Sequence, residues 1–247
     1  MSPSQAAIFL QSLGAFPEDL SFSLGASILW VALYLGILLG LAELLNRLTN
    51  HPGELTRKLV HIGSGQVILL AWWLQIPGWV GFYAGLLAAL VALTSYFLPI
   101  LPSLESVGRR SGGTFFYALS LGGLMGYFFS RDLPQFAALG IMVMAWGDGL
   151  AGVVGQRWGR HPYLIWGQKK SWEGSVAMGG VSFLVAWLIL GAGAGFSPAV
   201  GLTALAVALA APLLETLSWY GVDNLTVPLG AAGLSYGLWI YFAGLNF

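Results

Sequence analysis

Acidic, basic and glycine residues are concentrated between residues 148 and 175 of a chain that is otherwise largely apolar. Asp148 follows an apolar run, and an aspartate at the centre of a membrane helix costs about 2.5 to 3.5 kcal/mol on insertion scales. Gly152, Gly155 and Gly159 follow it at helical spacing, so a continuous α-helix would carry one smooth stripe that starts at the acid. The stripe could admit phosphates towards a metal ion on Asp148. Small-residue stripes also let two membrane helices touch, and that interpretation stays open.

A second polar group directly precedes an apolar run that begins near residue 176. It consists of Lys169, Lys170, Ser171, Glu173, Gly174 and Ser175. The N-terminus of a helix attracts anions, and two lysines beside it would strengthen that attraction. Glu173 in the first turn would repel a phosphate unless a cation bridged the two. A favourable interaction of Glu173 with the helix dipole is the alternative.

Basic residues also stand at the start of two other predicted helices. Arg57, Lys58 and His61 lie on one helical face, and Arg109 and Arg110 precede the run that begins at residue 114. Basic side chains at these positions could attract a phosphorylated ligand. Anionic lipid headgroups attract the same residue types, so that interpretation stays open. His61 could instead be a hydrogen-bonded structural residue. We interpret His51 and His161 as loop residues.

The remaining acidic candidates lie near the C-terminal end of the chain. Glu215 follows an apolar run, and Asp223 and Asn224 precede the last one. Asp223 could simply cap the helix that follows it.

The elements that position these residues are predicted to be membrane helices. The chain is 57% hydrophobic and 8% charged, with a mean hydropathy of +0.78, whereas soluble domains carry about 25% charged residues. Because a helix needs about 20 apolar residues to cross a bilayer, we predict an all-α integral membrane protein with about eight transmembrane helices, or seven. The predicted spans are 25–46, 59–76, 79–98, 114–130, 134–154, 176–192, 198–214 and 227–245. The fourth and sixth spans are short and glycine-rich.

The distribution of Lys and Arg orients this bundle. Nine of the ten basic residues fall on alternate loops that share one side, and Arg131 lies on the other side. The nine are Arg47, Arg57, Lys58, Arg109, Arg110, Arg157, Arg160, Lys169 and Lys170. The positive-inside rule places that side in the cytoplasm. Residues 1–24 then form a non-cytoplasmic N-terminal extension, and 25–247 form a single transmembrane catalytic domain whose nucleotide site faces the cytoplasm.

Several chemistries are excluded by residue type. The chain has no cysteine, which rules out disulfides and thiolate metal sites or nucleophiles. Neither the GxxxxGK[ST] phosphate loop nor the motifs of soluble protein kinases occur, and no pair of histidines has zinc-site spacing. Any nucleotide site must be of another kind.

Four segments in this order resemble the polyprenol kinase family. They are Arg57-Lys58-Leu-Val-His61, the run from Asp148 to Gly159, the cluster from Lys169 to Ser175, and Glu215 with Asp223-Asn224-Leu-Thr-Val-Pro228. The similarity covers roughly residues 40–230 and is greatest to the phytol kinase type. Dolichol kinases and CTP-dependent diacylglycerol kinases are more distant.

The resemblance implies CTP-dependent transfer of the γ-phosphate to the hydroxyl of a membrane isoprenoid alcohol, with Mg²⁺ as cofactor. It implies catalytic roles for Asp148, Lys169, Lys170 and Glu173, and metal binding by Asp148, Glu215 and Asp223. The expected nucleotide-binding residues are Arg57, Lys58, His61, Arg109, Arg110, Gly152, Gly155, Gly159, Ser171, Gly174, Ser175 and Asn224. The expected partners are CTP, the alcohol and the lipid bilayer, and no nucleic acid.

Two other functions remain open at this stage. A cytidylyltransferase that forms a CDP-linked lipid would use the same nucleotide but leave CMP on the product. A membrane transporter would also place charged residues within spans. A transporter would normally show an internal repeat of broken spans, and the charged residues here cluster on one side instead.

Overall fold

The computed structural model describes residues 22–48, 52–97 and 112–244. Helices dominate it, interrupted by one short hairpin of two strands. In chain order the helices are α1 (Leu24–Leu48), α2 (Pro52–Gly65), α3 (Val67–Trp73), α4 (Gly78–Phe97), α5 (Gly113–Phe128), α6 (Pro134–Met142), α7 (Gly149–Trp158), α8 (Trp172–Ala194), α9 (Pro198–Leu217) and α10 (Asp223–Gly244). A short 3-10 turn (Phe129–Arg131) follows α5, and the strands are β1 (Pro162–Ile165) and β2 (Gln168–Ser171).

Six helical runs among the described residues are long and apolar enough to cross a membrane. They are α1, α4, the run Pro134–Trp158, α8, α9 and α10. The protein is therefore a multi-pass membrane protein of mainly α-helical structure, as the composition predicts. The predicted second span is divided between α2 and α3 at Gln66, and the predicted fourth span corresponds to the 16-residue α5. The count of eight spans stays a prediction.

Helix α6 forms the centre of the bundle. Every residue from Gln135 to Ala145 is buried, and α6 packs against α3, α5, α8 and α10. A helix that is apolar on all sides is typical of a protein core or of a membrane span, and here neighbouring helices cover it. Phe136 contacts the rings of Phe128, Tyr236 and Trp239, which anchors α5 and α10 on this central helix.

A π-helical segment, Val143–Asp148, connects α6 to α7. Its wider turn changes the direction in which successive side chains point, and such segments often occur at functional sites. Asp148 is its last residue, so the acid lies where the π-helical geometry returns to α-helix. The continuous α-helix assumed for the stripe from Asp148 to Gly159 is therefore wrong at both ends, because Gly159 follows the end of α7 and has an extended backbone.

The hairpin of β1 and β2 is an element that the all-α prediction lacked. The strands are antiparallel, with Tyr163 opposite Lys170 and Leu164 opposite Lys169. Trp166 and Gly167 both have positive φ (51° and 75°), as a type I′ turn requires. Two strands of four residues are marginal alone and need packing against a neighbour. The backbone N–H of Trp172 donates to the carbonyl of His161, which joins the hairpin to the start of α8.

Parts of the sequence interpretation fall outside the described residues. The extension 1–24 is described only from residue 22, and Arg109 and Arg110 lie in the segment 98–111, which is outside the described ranges. Arg57 belongs to α2, but its side chain is not among those described.

Candidate active site

Asp148 contacts His61, which α2 brings to the end of the π-helical segment. His61 Nε2 lies 3.6 Å from Asp148 Oδ2 and 3.4 Å from the carbonyl oxygen of Met144. The side chains are 32% and 20% exposed for Asp148 and His61, respectively. The first distance is longer than an ordinary hydrogen bond. The carboxylate is thus close to an imidazole yet remains accessible to a ligand.

Lys170 forms an ion pair with Glu215. Its Nζ lies 2.5 Å from Glu215 Oε1 and donates to the backbone oxygen of the same residue at 2.7 Å. Both side chains are only 15% exposed. Because a nearly buried charge is costly without a partner, removal of either residue would leave the other uncompensated. The pair fixes β2 against the cytoplasmic end predicted for α9.

Tyr163 reinforces this contact from the neighbouring strand. Its hydroxyl lies 2.7 Å from Ser175 Oγ and 3.2 Å from Thr216 Oγ1, so it bridges α8 and α9. Tyr163 lies opposite Lys170 in the hairpin, and the two side chains point to the same face. Sequence reasoning missed Tyr163 and Thr216, because the only signal was a short segment of strand-forming residues before Gly167.

Asp223, the first residue of α10, completes a cluster of charged groups. Its carboxylate interacts electrostatically with Asp148, Lys170 and His61, and Glu215 interacts with Asp148, Lys170 and Asp223. The side-chain amide of Asn224 lies 3.4 Å from Asp223 Oδ1, while the Asn224 carbonyl accepts from Ser120 Oγ at 2.9 Å. Five elements distant in sequence therefore bring three acids, one lysine and one histidine together.

Lys169 and Glu173 lie apart from this cluster. Lys169 is exposed and lies opposite the exposed Leu164, on the other face of the hairpin from Lys170. Glu173 binds His161, whose Nδ1 lies 2.6 Å from Oε1, and it also accepts from the His161 backbone N–H. The structure thus gives His161, interpreted from sequence as a loop residue, a specific partner in the first turn of α8.

The glycines of α7 face two different neighbours. A Cβ added at Gly152 would lie 3.1 Å from Lys58 Nζ, which places this lysine beside α7. A Cβ at Gly155 would lie 3.0 Å from Ser171 Oγ, and one at Gly159 would contact the Gly155 carbonyl and Ser171. Gly155 and Gly159 therefore provide close packing against the start of α8. Nucleotide contact by these glycines stays a prediction.

The start of α8 has the geometry of a capped N-terminus. Ser171 Oγ accepts from the backbone N–H of Gly174 at 3.2 Å, and Ser175 Oγ donates to the Ser171 carbonyl at 3.3 Å. Gly174 permits the close approach to α7, because a Cβ there would lie 3.0 Å from the Ala151 carbonyl oxygen. The three residues shape the helix start beside Lys170.

The acids fit Mg²⁺ bound jointly with a phosphorylated ligand better than a cage made of protein alone. No group of three metal-ligating side chains is close enough to hold an ion among the residues that the structure describes. Mg²⁺ usually takes one or two carboxylates, keeps several waters and shares substrate phosphates. Asp148 and Asp223 could supply those carboxylates, since Glu215 already binds Lys170.

Sequence comparison identifies relatives with consistent names. The chain is 58% identical over 220 residues to the phytol kinase of Synechocystis sp., a match that covers 86% of this chain and 94% of the relative. It is 32% identical to phytol kinase 1, chloroplastic, of Arabidopsis thaliana, covering 74% and 67% of the two chains. It is 31% identical to the chloroplastic farnesol kinase of the same plant, covering 72% and 64%. No protein-family model and no solved structure matches the chain.

Proposed function

Because this chain belongs to the phytol/polyprenol kinase family, we propose that it transfers the γ-phosphate of CTP to the hydroxyl of phytol or a similar prenol. The product is the prenyl monophosphate, and CDP is released. The observation that carries the proposal is the convergence of Asp148, Lys170, Glu215 and Asp223 with His61 at one place. Phosphoryl transfer depends mainly on positioning and charge neutralisation, and this cluster provides both.

Asp148 is the proposed base for the acceptor alcohol. The alcohol oxygen forms a bond to the γ-phosphorus as the bond from that phosphorus to the bridging β-phosphate oxygen breaks. The hydroxyl proton passes to the Asp148 carboxylate, which is half-buried and accessible. His61 lies beside this carboxylate and interacts electrostatically with Asp223, so it helps to orient the acids. A base within hydrogen-bond reach contributes about 10²- to 10⁴-fold to rate.

Lys170 is the proposed phosphate contact of the cluster. It starts from an ion pair with Glu215, which keeps its Nζ positioned inside the site. Asp223 would hold Mg²⁺ together with the phosphates, and the ion would neutralise charge on the triphosphate when bound. Binding of this ion by Asp148 is the alternative to its role as the base. Lys58 lies beside Gly152 of α7, and the start of α8 packs against the same helix at Gly174. We therefore propose that Lys58 and the backbone amides at the start of α8 also contact the phosphates. Lys169, on the exposed face of the hairpin, and Glu173, in the first turn of α8, are proposed to contact the nucleotide from outside the cluster.

The proposed orientation of the protein in the membrane follows from the position of its basic residues. The cluster is built from α2, the π-helical segment, β2, the end of α9 and the start of α10, and β2 also carries Lys169. We place this side in the cytoplasm by the positive-inside rule. CTP would then arrive from water while the alcohol stays in the bilayer.

Labelled CTP tests the proposal directly. Purified protein in lipid is incubated with CTP labelled either in the γ-phosphate or in cytidine, and with phytol, farnesol, geranylgeraniol or diacylglycerol. We expect γ-label in the prenol and none from cytidine, with ATP and UTP as competing donors in parallel reactions. Cytidine in the lipid product would identify a cytidylyltransferase instead. Solute flux in vesicles without nucleotide would favour a transporter.

The variant Asp148→Asn tests the assigned base. We expect phosphorylation to fall by roughly 10²- to 10⁴-fold, the contribution of a positioned general base. Asp132→Asn is the matched control, because Asp132 is exposed in the turn before α6 and lies at the opposite end from Asp148 of the helical run that begins at Pro134. Thermal unfolding in detergent checks that both variants are folded. Full turnover by Asp148→Asn would show that the reactive centre is elsewhere.

A further inference from the structure

An apolar cavity lies between α1, α2 and the π-helical segment. Its volume is about 350 Å³, and its walls include Tyr34, Ile37 and Leu41 of α1, Ile62 of α2, and Trp146. Small-molecule sites usually have volumes of about 300 to 1,000 Å³. The cavity is therefore large enough for part of a ligand and has the wrong polarity for a nucleotide.

The outer side of the cavity opens towards the region that lipid occupies. Ile37 and Leu41 are 56% and 51% exposed, and both lie on α1, one of the six helices that can span a membrane. The hydroxyl of Tyr34 donates to the carbonyl of Gly63 at 2.7 Å and holds α1 against α2 beside the cavity. An apolar molecule could therefore enter laterally between these helices without passing through water.

The inner side of the cavity adjoins the candidate base. Ile62 directly follows His61, and a Cβ added at Gly149, the residue after Asp148, would lie 2.7 Å from Ile62 Cγ1. Trp146 lines the cavity, and its buried Nε1 has no hydrogen-bond partner within the described part of the chain. A buried donor without a partner is costly unless a ligand or water satisfies it.

We propose that this cavity binds the isoprenoid tail of the acceptor alcohol and directs its hydroxyl towards His61 and Asp148. The inference rests on the proposed prenol kinase activity and adds the place where the acceptor binds. From Tyr34 to Leu41 the α1 wall is about 10 Å long, at 1.5 Å per helical residue. An extended farnesyl or phytyl chain is longer than this wall. The cavity therefore holds the hydroxyl-proximal part of the tail, and the distal part lies in the bilayer.

Photolabelling tests the location without requiring phosphate transfer. Protein in lipid is irradiated with a prenol that carries a diazirine in its first isoprene unit, without nucleotide, and the labelled peptides are identified. We expect label on residues 34–41 and 59–63, and competition by unlabelled phytol. Label spread over the exposed faces of α4 and α9, with none at these positions, would overturn the proposal.

Ile37 and Leu41, the exposed wall residues of α1, form the mouth of the cavity, and their substitution tests whether the cavity binds the prenol. We expect Ile37→Trp and Leu41→Trp to raise KM for the prenol by roughly tenfold or more, as when a hydrophobic pocket is obstructed. KM for CTP should stay unchanged. Leu39→Trp is the matched control, because Leu39 is 48% exposed on the same helix but does not line the cavity. Equal effects of the control and the two mouth variants would contradict the assignment.

The two experiments separate this inference from the proposed function. Specific photolabel at α1 and α2 in a protein that transfers no γ-phosphate would retain the cavity and reject the kinase activity. Kinase activity with no label at these helices would retain the function and reject the cavity.

Discussion

Lys169 and Lys170 are adjacent in sequence but have different surroundings. Successive residues of a β-strand point to opposite faces, and β2 directs Lys170 to Glu215 while Lys169 lies on the exposed face with Leu164. A lysine whose position is fixed by a nearly buried carboxylate is preorganised for a phosphate. An exposed lysine must lose side-chain freedom before it can bind.

We therefore expect Lys170→Gln to lower kcat/KM for phosphate transfer much more than Lys169→Gln. The expected loss at Lys170 is about 10² to 10³, the cost of removing one preorganised electrostatic contact. At Lys169 we expect less than about tenfold, as for an exposed charge. Steady-state kinetics with CTP as the varied substrate measures both. Equal losses would show that the two lysines act together.

Loss of folding in Lys170→Gln would be a separate effect, because Glu215 would lose its partner in a largely buried site. The double variant Lys170→Gln/Glu215→Gln removes that uncompensated charge. It should unfold near the wild-type temperature and still be inactive. Recovery of activity in the double variant would contradict a phosphate-binding role for Lys170.

The contact between α7 and α8 determines where the hairpin and the helix start are placed. Gly155, Gly159 and Gly174 allow the two helices to approach closely, and Ser171 lies between them. The hairpin then carries Lys170 and Tyr163 to α9. A small change in this spacing would move Lys170 relative to Asp148 without altering either residue.

Gly174→Ala should therefore reduce both stability and activity. Its Cβ would lie 3.0 Å from the Ala151 carbonyl oxygen and 3.2 Å from Ser171 Oγ, and overpacking of this kind costs about 1 to 3 kcal/mol. Thermal unfolding in detergent and phosphate transfer measure the two effects.

The control is Gly180→Ala on the same helix, where an added Cβ meets nothing within 4 Å. That substitution should leave activity unchanged and stabilise the helix by about 0.5 to 1 kcal/mol, the usual gain of Ala over Gly. A neutral result for Gly174→Ala would show that the contact between α7 and α8 has room to adjust.

At the scale of the whole molecule, the bundle separates a polar end from an apolar body. The charged cluster, the hairpin and the start of α8 share one end, whereas Arg131 lies between α5 and α6 at the predicted opposite end. The exposed Trp166 in the turn of the hairpin contacts the exposed ring of Trp219, which follows α9. Tryptophan is enriched at the membrane interface, which is where a lipid alcohol and a water-soluble nucleotide would meet.

Single cysteines can test this orientation, because the chain has none of its own. We expect Gln168→Cys in the hairpin to react with a membrane-impermeant maleimide only from the cytoplasmic side. Ser130→Cys, in the turn after α5, should react only from the other side. Both positions are exposed, so access to the reagent is matched. Labelling of both from one side would contradict the predicted topology.

The amino-acid sequence determined the membrane character, the approximate helix bounds and the polar segments, because these depend on local composition and periodicity. Long apolar runs indicate segments that are buried in lipid or protein. Asp148 and Glu215 are easily recognised because they are acids next to such runs. The proposed orientation likewise depends only on a count of basic residues along the chain.

Only the tertiary structure decided which polar residues meet. It paired Glu215 with Lys170 and Glu173 with His161, and it placed Lys169 on the opposite face of a hairpin. It also formed the π-helical turn at Asp148 and the cavity beside Ile62. The pair of Lys170 with Glu215 and the cavity arise from contacts between segments distant in sequence. Local periodicity carries no information about such contacts, since their energies depend on packing that the whole bundle sets.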